Sequence, residues 1–244
     1  MNAFDLTDKT ILVTGASSGL GRQCAISISE HGGKLIITGR KQDKLQQTFD
    51  RLQGEGHLMI PADLTKKQDV EELVDQLPGL NGVIYSTGIS ELSPARFITE
   101  ESIEKTFRIS FDASVLLTGK LLAKKKLIKG NCSLLFISSI STRYPFVGGA
   151  MYVSAKAALE GYARVLALEL APKRIRSNCI APAFVKTPML DGTAANYSQE
   201  AVKKIEDQQI LGLGEPEDVA NTAVFYMSDA SKWITATNLI LGGG

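Results

Sequence analysis

Residues Thr10–Arg22 read TILVTGASSGLGR. Thr10–Thr14 is a short, continuous apolar run of the kind found in the middle of a parallel sheet, buried on both faces. Gly15, Gly19 and Gly21 follow at G-x-x-x-G-x-G spacing, with Ser17, Ser18 and Leu20 between them. An amphipathic helix then runs to about Ser29 and closes at Gly32-Gly33. Glycines after a strand and before a helix let the backbone pass close to a diphosphate, and the helix start offers free N–H groups and a favourable dipole. The stretch predicts a dinucleotide site at the first turn of an α/β fold.

Outward from it, strands and helices alternate. The pattern predicts strands at 34–38, 57–61, 82–88, 132–137, 174–180 and near 238–241. Helices are expected at 41–53, 66–77, 100–126, 151–171 and from Pro216, where proline and acidic residues mark a first turn. A loop is expected at 89–99, and 181–214 reads as a long structureless segment, rich in small and apolar residues, including Phe184, Met189, Leu190 and Tyr197. Such a loop is usually functional, and residues 183–214 are expected to form a mobile substrate lid. With 244 residues, 44% of them hydrophobic, and no linker or repeat, the chain is expected to be one domain built on a doubly wound parallel sheet.

A formal charge of +1 without a basic block argues against nucleic acid or an anionic membrane as partner. Cys24, Cys132 and Cys179 lack metal-ligand spacing, so no metal site and a reducing compartment are expected. The N-terminus lacks the layout of a signal peptide, and no apolar run reaches spanning length. A soluble cytoplasmic protein is the expectation. His31 and His57 have no partner in sequence and are assigned no chemistry.

Strand 34–38 ends in Gly39-Arg40. A dinucleotide site for NAD usually carries an acidic residue here for the ribose 2′-hydroxyl. Arg40 cannot accept that bond, whereas its guanidinium suits a 2′-phosphate, so NADP(H) is expected rather than NAD(H). Lys41 and Lys44 either add to that charge or face water. Asp63, followed by Leu64, either caps the next helix or approaches the adenine edge, and the roles are compatible. Gly88, after Ser86 and Thr87, lets the backbone approach a ligand.

Residues 137–156 read ISSISTRYPFVGGAMYVSAK, a strand end, a loop and a helix start. Tyr152 and Lys156 lie four apart and share a helix face. An ammonium beside a phenol favours the phenolate, so Lys156 is expected to lower the Tyr152 pKa and fit it for proton transfer. Ser139 is placed to hold a carbonyl oxygen beside that phenol. Arg143 either meets an anionic substrate group or is a solvated loop residue.

Together these pieces resemble the short-chain dehydrogenase/reductase family over essentially the whole chain: Thr14-Gly15-x-x-x-Gly19-x-Gly21, Asp63, Gly88, Ser139, Tyr152-x-x-x-Lys156, Pro182 with Thr187, and GEPEDVA at 214–220. The resemblance implies a Rossmann fold of seven parallel strands with three helices on each face. It also implies a homotetramer, or a homodimer, using the 100–126 and 151–171 helices. Tyr152 would be the proton donor in reduction, Lys156 would bind the nicotinamide ribose, and Ser139 would orient the substrate oxygen. Leu64, Ser86, Thr87, Ile180, Pro182, Val185 and Thr187 would lie along the cofactor. The chain departs from the family at Ser110, a catalytic candidate that stands where an asparagine usually serves a proton relay and is expected to serve it more weakly or through water, at Tyr85-Ser86-Thr87-Gly88, at Pro182-Ala183 and at Thr235-Ala236. The expected activity is NADP(H)-dependent reduction of a ketone, such as a 3-oxoacyl thioester, to a secondary alcohol. A dehydrogenase for a sugar, polyol or steroid-like alcohol and a non-catalytic NADP(H)-binding module are the competing expectations.

Overall fold

A computed structural model describes residues 2–194, 203, 207 and 209–243. The chain alternates strands β1 (Thr10–Thr14), β2 (Lys34–Thr38), β3 (Leu58–Met59), β4 (Gly82–Tyr85), β5 (Cys132–Ile137), β6 (Ile175–Pro182) and β7 (Asn238–Leu241) with helices. These are α1 (Gly19–Glu30), α2 (Gln42–Phe49), α3 (Lys67–Gln76), α4 (Glu100–Phe107), α5 (Ala113–Ala123), α6 (Ala150–Leu170), α7 (Pro188–Ala194) and α8 (Pro216–Met227). The seven strands form one parallel sheet in the order β3-β2-β1-β4-β5-β6-β7. The order reverses between β1 and β4, and ligands of open α/β sheets bind at the strand ends beside such a switch point.

Side chains alternate across the sheet and build a core on each face. Leu12, Val83, Leu134 and Phe136 pack with α3, α5 and α6 through Leu73, Leu117 and Leu159. Ile11, Val13, Ile84 and Leu135 pack on the other face with α1 and α8 through Cys24, Ile28, Val219 and Val224. Tyr85 and Phe136 stack with ring centroids 4.3 Å apart, joining β4 to β5.

Four expectations are corrected. The single helix over 100–126 is α4, a π turn at Arg108–Asp112, and α5. The wider turn carries Ser110, and helix periodicity does not signal such an inserted residue. The strand over 57–61 shrinks to two residues at the sheet edge, where it pairs with β2 alone. The strand over 82–88 ends at Tyr85, and Ser86–Gly88 leave the sheet as a loop. The described part of the segment 181–214 is not structureless: β6 extends to Pro182, and α7 begins at Pro188, whose ring suits a first helical position. Its two ends meet, since Gly214 N donates to Phe184 O and Lys186 N to Gly214 O, both at 2.9 Å. Tyr197 lies outside the described residues. No described helix is long and apolar enough to cross a membrane.

Candidate active site

The glycine loop is built on contacts that no side chain could occupy. Gly15 adopts φ +65°, and a Cβ there would sit 2.6 Å from the Ser86 carbonyl oxygen. A Cβ on Gly21 would sit 2.5 Å from the Gly15 carbonyl oxygen, so Gly21 lets α1 pack against the loop. Ser18 holds the N-cap of α1 with an extended backbone, yet its side chain makes no capping bond, leaving the first-turn N–H groups to an outside acceptor. Arg22 braces the loop from beneath, donating to Ser17 O at 2.7 Å and to Thr48 Oγ1 at 3.0 Å.

One cleft of about 1420 Å³ runs along the C-terminal strand ends. It is lined by Gly15, Ser17, Ser18, Gly19, Leu20, Arg40, Asp63, Leu64, Ser86, Thr87, Gly88, Ser139, Tyr152, Lys156, Pro182, Val185 and Thr187. Gly21 is behind the loop, Ser110 is fully buried, and Ile180 is buried within β6. The buried Thr87 hydroxyl has no hydrogen-bond partner although its residue lines the cleft. A buried hydroxyl without a partner is costly. This hydroxyl, the Gly15 cradle and the uncapped helix start fit a dinucleotide.

Arg40, Lys41 and Lys44 line the same end of the cleft. Burial acts to raise the Asp63 carboxyl, but the Thr65 hydroxyl and N–H, with the charges of Arg40 and Lys66, hold it below the usual carboxylate range. Asp63 therefore stands ionised beside Arg40. It shapes its own turn through Thr65 rather than capping α3, whose N-cap is Lys66.

Ser139 stands at the end of β5, and Tyr152 and Lys156 on successive turns of α6. The Lys156 ammonium donates to Ile137 O at 2.8 Å and lies 5.9 Å from the Tyr152 ring centroid. Gly88 makes room for it, because a Cβ there would be 3.1 Å from Lys156 Nζ. Burial pulls the Lys156 pKa down to about 8. The expected lowering of the Tyr152 pKa by Lys156 is not what this geometry produces. Burial pushes the phenol above its ordinary value, the Ser139 hydroxyl opposes that rise, and the lysine is engaged with Ile137. The phenol is protonated at neutral pH, so reduction would use it as the donor.

Ser110 Oγ accepts the Ile89 N–H at 3.3 Å on the inner side of the cleft wall. Arg143 is exposed and sits over the Tyr144 ring instead of lining the cleft. His31 and His57 bond backbone atoms only, at Ser27, Leu35 and Gln53. Sequence reasoning passed over Ser141, whose hydroxyl is 2.9 Å from Ser139 Oγ. It also passed over Glu160, which accepts from Ser138 Oγ at 2.6 Å and Thr142 Oγ1 at 2.8 Å. The only signal for Glu160 was its place one turn after Lys156, on the helix face that carries the site.

A family model described as enoyl-(acyl carrier protein) reductase matches residues 15–244. Human dehydrogenase/reductase SDR family member 4 is 34% identical over 247 residues, covering 98% of this chain and 88% of that protein. The 3-oxoacyl-[acyl-carrier-protein] reductase FabG of Rickettsia felis is 32% identical over 243 residues, covering 99% and 98%. An NAD-dependent glycerol dehydrogenase of Listeria innocua is 30% identical over 245 residues, covering 99% and 95%. With the sheet, the glycine loop and the Ser139, Tyr152 and Lys156 group in one cleft, these matches make the chain a member of the short-chain dehydrogenase/reductase family and an oxidoreductase.

Proposed function

We propose that the protein is an NADP(H)-dependent reductase that converts the ketone of an apolar substrate, of the 3-oxoacyl thioester kind, into a secondary alcohol. The observation that carries this reading is a continuous cleft: it joins Arg40 and two lysines at the cofactor end to Ser139, Tyr152 and Lys156 at the other. Ser17, Ser18 and the first-turn N–H groups would hold the diphosphate, and Arg40 the 2′-phosphate. When bound, the nicotinamide supplies the hydride. Ser139 orients the carbonyl oxygen, Tyr152 delivers its proton to that oxygen, and Lys156, held by Ile137 O, would bind the nicotinamide ribose.

Tyr144, Phe146, Val147, Met189 and Leu213 line the rest of the cleft, which suits an acyl chain better than a polyol. Residues 183–214, clamped at Phe184 and Gly214, act in this reading as the substrate lid on a single domain. Three buried free thiols support a reducing, cytoplasmic setting. Membership of an oxidoreductase family removes the reading as a non-catalytic module.

The test is oxidation of NADPH and NADH on acetoacetyl-CoA by wild type, Tyr152→Phe and Arg40→Glu. Tyr152→Phe loses at least 100-fold in kcat while still binding NADPH, the scale of general acid catalysis. Arg40→Glu reverses an NADPH preference of the wild type by at least tenfold, about 1.4 kcal/mol. Full activity of Tyr152→Phe, or an NADH preference in the wild type, overturns the corresponding half of the proposal.

A further inference from the structure

A serine hydroxyl holds one hydrogen to donate and two lone pairs to accept with. Both acceptor positions of Ser139 Oγ are taken by one residue: Ser141 donates its backbone N–H at 3.2 Å and its hydroxyl at 2.9 Å. The only direction left to Ser139 is to donate. We propose that Ser141 is a positioning residue for Ser139, saturating its acceptor sites so that the Ser139 O–H is presented to the substrate oxygen.

Three observations support this role. Ser139 and Ser141 are 9% and 4% exposed, and both line the cleft, so solvent is a poor substitute for either partner. The backbone of Ser139 is extended (φ −158°, ψ 145°), and a short 3₁₀ turn follows, which places residue 141 against it without strain. The loop is also anchored from outside. Ser138 and Thr142, flanking the pair, both donate to Oε1 of Glu160, at 2.6 and 2.8 Å. Glu160 is on the helix that carries Tyr152 and Lys156, so the orientation of Ser139 is tied to the proton donor it serves. A capping turn needs only the Ser141 N–H; the second donor, the hydroxyl, goes beyond capping.

The inference rests on the reductase reading, and the experiment separates the two. Ser141→Ala, Ser141→Thr, Ser139→Ala, the Ser139→Ala/Ser141→Ala pair and Tyr152→Phe are compared on acetoacetyl-CoA and a panel of apolar ketones. Alongside, Tyr152 ionisation is followed in the NADP-loaded protein by ultraviolet difference titration against Tyr152→Phe, a readout that needs no substrate. Ser141→Ala loses about 3- to 10-fold in kcat, the scale of one hydrogen bond, with little change in KM. Ser141→Thr restores the rate, Ser141→Ala costs nothing further once Ser139 is alanine, and the Tyr152 midpoint moves to higher pH in Ser141→Ala. Equal losses with and without Ser139, or wild-type kcat and an unmoved midpoint in Ser141→Ala, overturn the positioning role while a dead Tyr152→Phe leaves the reductase reading standing. Full turnover by Tyr152→Phe overturns both.

Discussion

Lys156 shows what burial does to a side chain whose place the sequence made plain. Its spacing from Tyr152 marked the pair, but its 5% exposure and its bond to Ile137 O belong to the folded protein. Burial lowers its pKa from 10.5 to about 8. Between those pH values the unfolded chain holds a proton that the cofactor-free folded protein lacks, so stability rises with pH across that window. Wild type should gain on the order of 3 kcal/mol between pH 7 and pH 11 relative to Lys156→Met, which carries no titrating group. Urea unfolding of both proteins over that range checks this, and parallel curves would remove the burial account. The direction of the Tyr152 shift was misjudged for a related reason. Spacing reports that two groups share a face, but not what solvent each has lost or which carbonyl has captured the ammonium.

Among the elements, the link from α8 to β7 carries the clearest local conflict. Ala236 adopts φ +60°, a left-handed conformation that suits glycine, at the position where the resembled family has Thr-Gly. Its N–H donates to Ser177 O at 2.9 Å, which ties the turn to β6. The Cβ in that conformation costs roughly 1–2 kcal/mol, and glycine gives back part of it through a freer unfolded chain. Ala236→Gly should therefore stabilise the protein by about 0.5–1 kcal/mol, seen as a higher Tm with activity unchanged. A lower Tm would show that the backbone is not strained there. The departure was visible in the sequence, whereas the φ angle that gives it meaning was not. β1, β2, β5, α1 and α6 were legible because apolar runs and glycines act within a few residues. The π turn at Ser110 and the two-residue β3 were not, because neither changes the local pattern that announces a helix or a strand.

On the scale of the whole molecule, α5 and α6 leave large apolar side chains exposed among the described residues. Leu168 and Val165 on α6 are 74% and 51% exposed, and Leu116 on α5 is 44% exposed. These are the helices the family resemblance gives to subunit contact, and a net charge of +1 sets up little repulsion between copies. A homotetramer using these helices is the proposed assembly. Leu168→Glu should divide it into smaller species by light scattering after gel filtration, with an unchanged far-ultraviolet circular dichroism spectrum. An unchanged mass would place the contact elsewhere. The sequence by itself determined the doubly wound sheet, the glycine loop, the basic residue at the end of β2 and the group of Ser139, Tyr152 and Lys156. Each of these is written in short-range order that propensity, periodicity and spacing read directly. Only the tertiary structure decided that Ser141 occupies both acceptor sites of Ser139, that Glu160 anchors their loop and that burial rather than Lys156 sets the direction of the Tyr152 shift. Hydrogen-bond partners and lost solvent are sums over residues far apart in the chain, and no window of sequence contains them.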